Sequence, residues 1–117
     1  LMRSAVHALR GLRYTFRHEE NFQIELIAAI FVFVLMYIVG VTSEEKSFLI
    51  FAIMLVLVLE LVNTSVERIV DLLKPRVHPY VRVVKDTMAA AVLVAAVSSV
   101  IVGAIIFIPY FLRMVAQ

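Results

Sequence analysis

The chain predicts an all-α membrane protein in which an amphipathic surface helix precedes three helices that cross the bilayer. Hydrophobic residues make up 63% of its 117 residues and mean hydropathy is +1.01, whereas soluble domains hold apolar content near half. The apolar residues gather in three long runs, which a small soluble core would be unable to cover without large exposed patches. Charged residues mostly flank those runs. With three Gly, three Pro and no low-complexity tract, nothing reads as a linker, so residues 1–117 are expected to form one membrane-embedded domain. There is no cysteine, which excludes disulfides, thiolate metal sites and thiol nucleophiles.

Residues 1–20 read as the amphipathic helix. Ala5, Ala8, Leu9, Leu12 and Phe16 share one side, and Arg3, His7, Arg10, Arg13 and Arg17 cluster opposite. Such a helix lies at a membrane surface. The first span is expected over 24–41, interrupted only by Glu25, and it lacks the small-residue cleavage site of a signal peptide. Its uninterrupted part reaches about 24 Å, short for a bilayer. Thr42, Ser43, Glu44, Glu45 and Lys46 form a polar hairpin in which Thr42 or Ser43 can cap the next helix. The second span is expected over 48–71, stopped before Pro75, which cannot extend a helix. Residues 74–85 read as a connection and 87–112 as the third span. Along that span Ala91, Ala95, Ser99 and Gly103 place a small residue at every fourth position, a face that lets helices approach closely in lipid.

Basic residues set the orientation. Four Arg precede the first span, and Lys74, Arg76, Arg82 and Lys85 follow the second, against Lys46 and Arg113 on the other side. The amino terminus and the second connection are therefore expected in the cytoplasm, with Tyr110 and Phe111 near the outer interface. Membrane, not nucleic acid, is the expected environment of these charges.

The chemistry concentrates in Glu60-Leu61-Val62-Asn63-Thr64-Ser65-Val66-Glu67-Arg68-Ile69-Val70-Asp71. At about 100° per residue, Glu60, Asn63, Glu67 and Asp71 fall within an arc of about 80° and form one polar stripe. Glu60 lies roughly 18 Å along the helix from Phe48, below the cytoplasmic surface of a core about 30 Å thick. A carboxylate at that depth costs about 2.5–3.5 kcal/mol on insertion scales and is expected to face a bundle interior, a cavity or an ion. Arg68 lies about 100° off the stripe and does not neutralise it from the same helix, whereas Mg²⁺, which takes few protein carboxylates and completes its shell with phosphates, does. Glu67 and Asp71 face one volume, Lys85-Asp86 add a charge pair at the same level, and Glu25 can approach from the first span.

These parts suit phosphoryl transfer: carboxylates for a metal, one to orient or deprotonate a hydroxyl, and cationic side chains such as Arg10 and Arg13 for a polyphosphate. No GxxxxGK[ST] loop or Gly-rich kinase loop is present, so any nucleotide site is built differently. His7, His18 and His78 lack zinc-ligand spacing and read as interfacial. An oligomeric channel or ion carrier is the alternative class, because intramembrane carboxylates also mark ion paths. The stripe stops short of the outer side, however, and Ser98 and Ser99 are a thin pore lining.

The pattern Glu60-x-x-Asn63-Thr64-Ser65-Val66-Glu67-x-x-x-Asp71, followed by Lys85-Asp86 and an Ala-Ala-Val-Leu segment, resembles the prokaryotic diacylglycerol kinase family, which includes undecaprenol kinases. The resemblance covers nearly the whole chain. It implies an ATP- and Mg²⁺-dependent kinase of a lipid hydroxyl in the bacterial inner membrane, a homotrimeric helical bundle with sites between subunits. Carried over by position, Glu60 looks like the catalytic carboxylate and Glu67 like a metal ligand. Asn63, Lys85 and Asp86 resemble residues around the nucleotide, and Glu25 resembles a second metal carboxylate. Glu19-Glu20-Asn21-Phe22-Gln23 and His78-Pro79 look more like undecaprenol kinases, and Glu25 more like diacylglycerol kinases. Relatives commonly place Gly or Ser where this chain has Thr87-Met88-Ala89-Ala90-Ala91, so Ala there narrows the backbone approach.

Overall fold

The computed structural model describes residues 1–73 and 79–117 of the chain. The described residues form four helices and no strand: α1 (Met2–His18), α2 (Glu20–Val39), α3 (Ser43–Leu73) and α4 (Pro79–Val115). The last three are long and apolar enough to cross a membrane, and the protein is an integral membrane protein. Lys74, Pro75, Arg76 and His78, which entered the orientation, helix-stop and histidine expectations, lie outside the described residues.

Each helix end has a local cause. Glu19 alone separates α1 from α2, with extended backbone (φ −115°, ψ 109°) between two helical stretches. α2 stops at Gly40, whose left-handed φ of 74° lets its amide donate to the Met36 carbonyl at 3.0 Å, a conformation that costs an L side chain about 1–2 kcal/mol. α3 then opens with a reciprocal cap. The Glu45 amide donates to Thr42 Oγ1 at 3.2 Å, and the Thr42 amide donates to Glu45 Oε1 at 3.0 Å, which satisfies two orphan donors. α4 opens on Pro79, and proline suits a first helical position because the missing N–H would be unpaired there anyway.

The helices outrun the spans expected from hydropathy. α2 starts at Glu20 and not near 24, α3 at Ser43 and not 48, and α4 at Pro79, so that residues 79–85 of the expected connection 74–85 are helical. Hydropathy reports the slab of apolar residues, whereas a helix of 31 residues such as α3 is about 46 Å long and projects polar turns beyond a core about 30 Å thick.

Three residues join α2 to α3, so these helices run antiparallel, and α4 packs most extensively on α3. The apolar core sits at the hairpin end: Met36, Val41, Leu49, Ile106 and Phe107 are buried together there. Tyr110 Oη donates to Glu45 Oε1 just beyond it, and the Arg113 guanidinium lies 5.0 Å from the Tyr110 ring centre. Of the small-residue face on α4, Ala95 is buried and Ser99 Oγ lies 3.2 Å from the Ala52 carbonyl of α3. Gly103 is different: a Cβ there would meet nothing within 4 Å, so no close approach depends on it.

Candidate active site

The opposite half of the bundle has a polar interior. Along α3, Glu60, Asn63 and Thr64 are buried, and Glu60 is 1% exposed. They follow from the three- and four-residue spacing that turns them to one side. The Thr64 hydroxyl donates to the Glu60 carbonyl at 3.0 Å, which ties it into the helix. The Asn63 amide donates to Glu67 Oε1 at 3.4 Å, linking two members of the stripe one turn apart. The single chain already covers Glu60, in line with a carboxylate facing a bundle interior, whereas Asp71, at the end of the stripe, is exposed.

Two further carboxylates arrive from the start of α2. Glu25 lies close enough to Glu60 for their charges to repel, and its Oε2 is buried with no hydrogen-bond partner. Glu19, at the corner before α2, lies within the same electrostatic reach of Glu60, as does Glu67. Because α2 and α3 are antiparallel, Glu19 sits about 9 Å nearer the helix ends than Glu25. That is the level of Glu67, which lies about 10.5 Å along α3 from Glu60. Sequence reading used Glu19 only within the Glu19–Gln23 segment. Its place at the site is set by a contact across 49 positions, Arg68 Nη2 to Glu19 Oε1 at 2.7 Å.

The cations stand at the rim. Arg68 Nη1 and Lys85 Nζ each lie 3.9 Å from Asp71, one at each carboxylate oxygen, so at Asp71 the stripe does bind helices together. Arg10 lines a cleft of about 490 Å³ between α1 and α3 with His7, Tyr14, Thr64 and Arg68. Arg13 is exposed on α1 outside that lining, and Asp86 is exposed on α4. His18 stacks on Tyr14 with ring centres 4.3 Å apart. On the other side of Glu25 an apolar groove of about 350 Å³ opens between α2, α3 and α4, lined by Ala29, Val32, Val56 and Phe107 among others.

The donor set is all oxygen, the kind that suits a hard cation. Among the described residues no three His, Cys, Asp or Glu side chains converge as a closed metal cage. Glu25 Oε2, buried without a hydrogen-bond partner, is the kind of oxygen whose burial a bound cation would relieve.

The family model for prokaryotic diacylglycerol kinase matches residues 6–107. The chain is 40% identical over 107 residues to the undecaprenol kinase of Bacillus subtilis (strain 168), covering 92% of this chain and 87% of that one. It is 32% identical over 108 residues to the diacylglycerol kinase of Haemophilus influenzae, covering 92% of each. To the diacylglycerol kinase of Escherichia coli (strain K12) it is 29% identical over 111 residues, covering 95% of this chain and 91% of that one.

Proposed function

The chain belongs to the prokaryotic diacylglycerol kinase family and is a lipid kinase, and from that premise we propose that it phosphorylates undecaprenol with ATP and Mg²⁺. The observation that carries the mechanism is Glu60, covered within its own chain, with Asn63 and Glu67 hydrogen-bonded to each other further along the same stripe of α3. Glu60 takes the proton of the lipid hydroxyl as its oxygen bonds to the γ-phosphorus. The bond from that phosphorus to the bridging oxygen breaks, and ADP leaves. Asn63 orients the Glu67 carboxylate through its amide. Arg10 and Arg68 in the cleft, with Lys85 beside it, carry the polyphosphate.

Glu67 would hold the Mg²⁺ with Glu19, which shares its level. Glu25, the second ligand expected from sequence, sits deeper beside Glu60. The ion, when bound, neutralises charge on the phosphates. Arg3, Arg10, Arg13 and Arg17 on α1, with Arg82 and Lys85 on α4, favour a cytoplasmic site in the bacterial inner membrane. In a homotrimer with shared sites, Asp86, which is exposed on α4, would reach the site of a neighbouring subunit.

Undecaprenol is favoured because identity to the Bacillus enzyme is 40%, against 32% and 29% for the two diacylglycerol kinases above. Glu25 favours the second reading, a diacylglycerol kinase that makes phosphatidic acid. The deciding experiment offers undecaprenol and diacylglycerol separately in micelles with γ-labelled ATP, with and without Mg²⁺. Labelled undecaprenyl phosphate that needs Mg²⁺ is the expected product. Labelled phosphatidic acid alone moves the assignment to diacylglycerol, and no labelled lipid from folded protein removes both.

A further inference from the structure

Arg68 touches more of the site's surroundings than any role given to it so far requires. Its Nη2 lies 2.7 Å from Glu19 Oε1, its Nη1 lies 3.9 Å from Asp71, and its guanidinium carbon lies 5.7 Å from the Tyr14 ring centre. It also lines the α1–α3 cleft. The side chain is 44% exposed, whereas Glu19 is 17% exposed. The carboxylate is thus the more enclosed partner, and the cation has the more open side.

We propose that Arg68 is a built-in counter-ion, which holds Glu19 in the metal-free enzyme and passes to a phosphate of the incoming nucleotide, freeing Glu19 for the metal. A guanidinium keeps its proton at any working pH, so Glu19 is released only by moving Arg68, and a divalent cation placed beside Glu19 while Arg68 remains is repelled. The same planar fork that fits a carboxylate fits a phosphate in two-point contact. The cleft puts that phosphate within reach, since Arg68 and Arg10 line one wall-to-wall space. Metal and nucleotide therefore bind as a coupled pair. This proposal rests on the reading of Glu19 as a Mg²⁺ carboxylate.

The test uses the full chain in detergent micelles, without turnover. Mn²⁺ binding is followed by electron paramagnetic resonance in the absence of nucleotide, and fluorescent mant-ADP binding is followed in EDTA. In R68Q, Mn²⁺ is expected to bind roughly fivefold tighter, because the competing charge is gone, while mant-ADP binds several-fold weaker. Opposite signs distinguish this role from a structural one: loss of a mere brace would loosen the corner and weaken both, and that result overturns the proposal. E19Q separates the proposal from its premise. If E19Q weakens Mn²⁺ binding and R68Q leaves it unchanged, the counter-ion role alone falls. If E19Q binds Mn²⁺ as wild type does, the metal role of Glu19 falls and takes the proposal with it. Should R68Q not fold, R68K decides, because lysine keeps the blocking charge but lacks the fork. Weaker mant-ADP with unchanged Mn²⁺ then supports the proposal, and wild-type binding of both overturns it.

Discussion

Glu60→Gln keeps the size of the side chain and removes the proton acceptor, so turnover is expected to fall by about 10² or more with little change in the ATP concentration for half-maximal rate. Steady-state kinetics on the purified variant check this, and near-normal turnover would remove Glu60 from the chemistry. Glu67→Gln is expected instead to raise the Mg²⁺ needed for half-maximal rate by about tenfold or more. A magnesium titration with unchanged midpoint would contradict it. These acids were legible in the sequence because helical spacing alone puts Glu60, Asn63 and Glu67 on one side. Glu19 was not, because its partners Arg68 and Glu60 come from another helix, and spacing within one helix carries no information about a neighbour. Gly103 continues the small-residue face but makes no tight contact within the chain, since a Cβ there would meet nothing within 4 Å. Gly103→Ala is therefore expected to raise thermal stability, by up to about 1 kcal/mol from helix propensity, and a clear loss of stability would show a contact at this position.

At the scale of elements, the apolar runs located the three spans but not their ends. A bilayer selects apolar residues only across its core, so the polar turns of α3 and α4 that project beyond it read as connections. Local chemistry marked one of these ends correctly, since Thr42 with Glu45 three positions on is a capping pair. Thr42→Ala is expected to cost about 1 kcal/mol of stability. The cap continues into α4 through the Tyr110 hydroxyl on Glu45, so Tyr110→Phe is also expected to lower the unfolding temperature. Both changes lie at the hairpin end, away from Glu60, and the turnover of folded protein is expected to stay at the wild-type value. A detergent melt combined with an activity assay tests the separation, and loss of turnover without loss of stability would show that the two ends are coupled.

The whole molecule divides its labour along the helix axes, with a buried apolar cluster at the hairpin end and the buried polar side chains Glu60, Asn63 and Thr64 in the other half. One subunit assembles Glu60, Asn63, Glu67 and Glu19 but leaves Asp86 exposed on α4. If the reacting phosphate needs Asp86, a neighbouring subunit supplies it, and subunit mixing tests that directly. Glu60→Gln and Asp86→Asn chains are each expected to be inactive alone. Unfolded and reassembled together in equal amounts, they would form, in the proposed homotrimer, some sites that take Glu60 from one chain and Asp86 from the next. With random assembly about a quarter of the sites are intact, and activity is expected to recover to about that fraction of wild type. If Glu60 and Asp86 of the same chain act together, every site in the mixture lacks one of them and nothing is recovered. Recovery would therefore establish both the oligomer and the sharing of its sites, whereas its absence from well-mixed trimers would confine catalysis to single subunits.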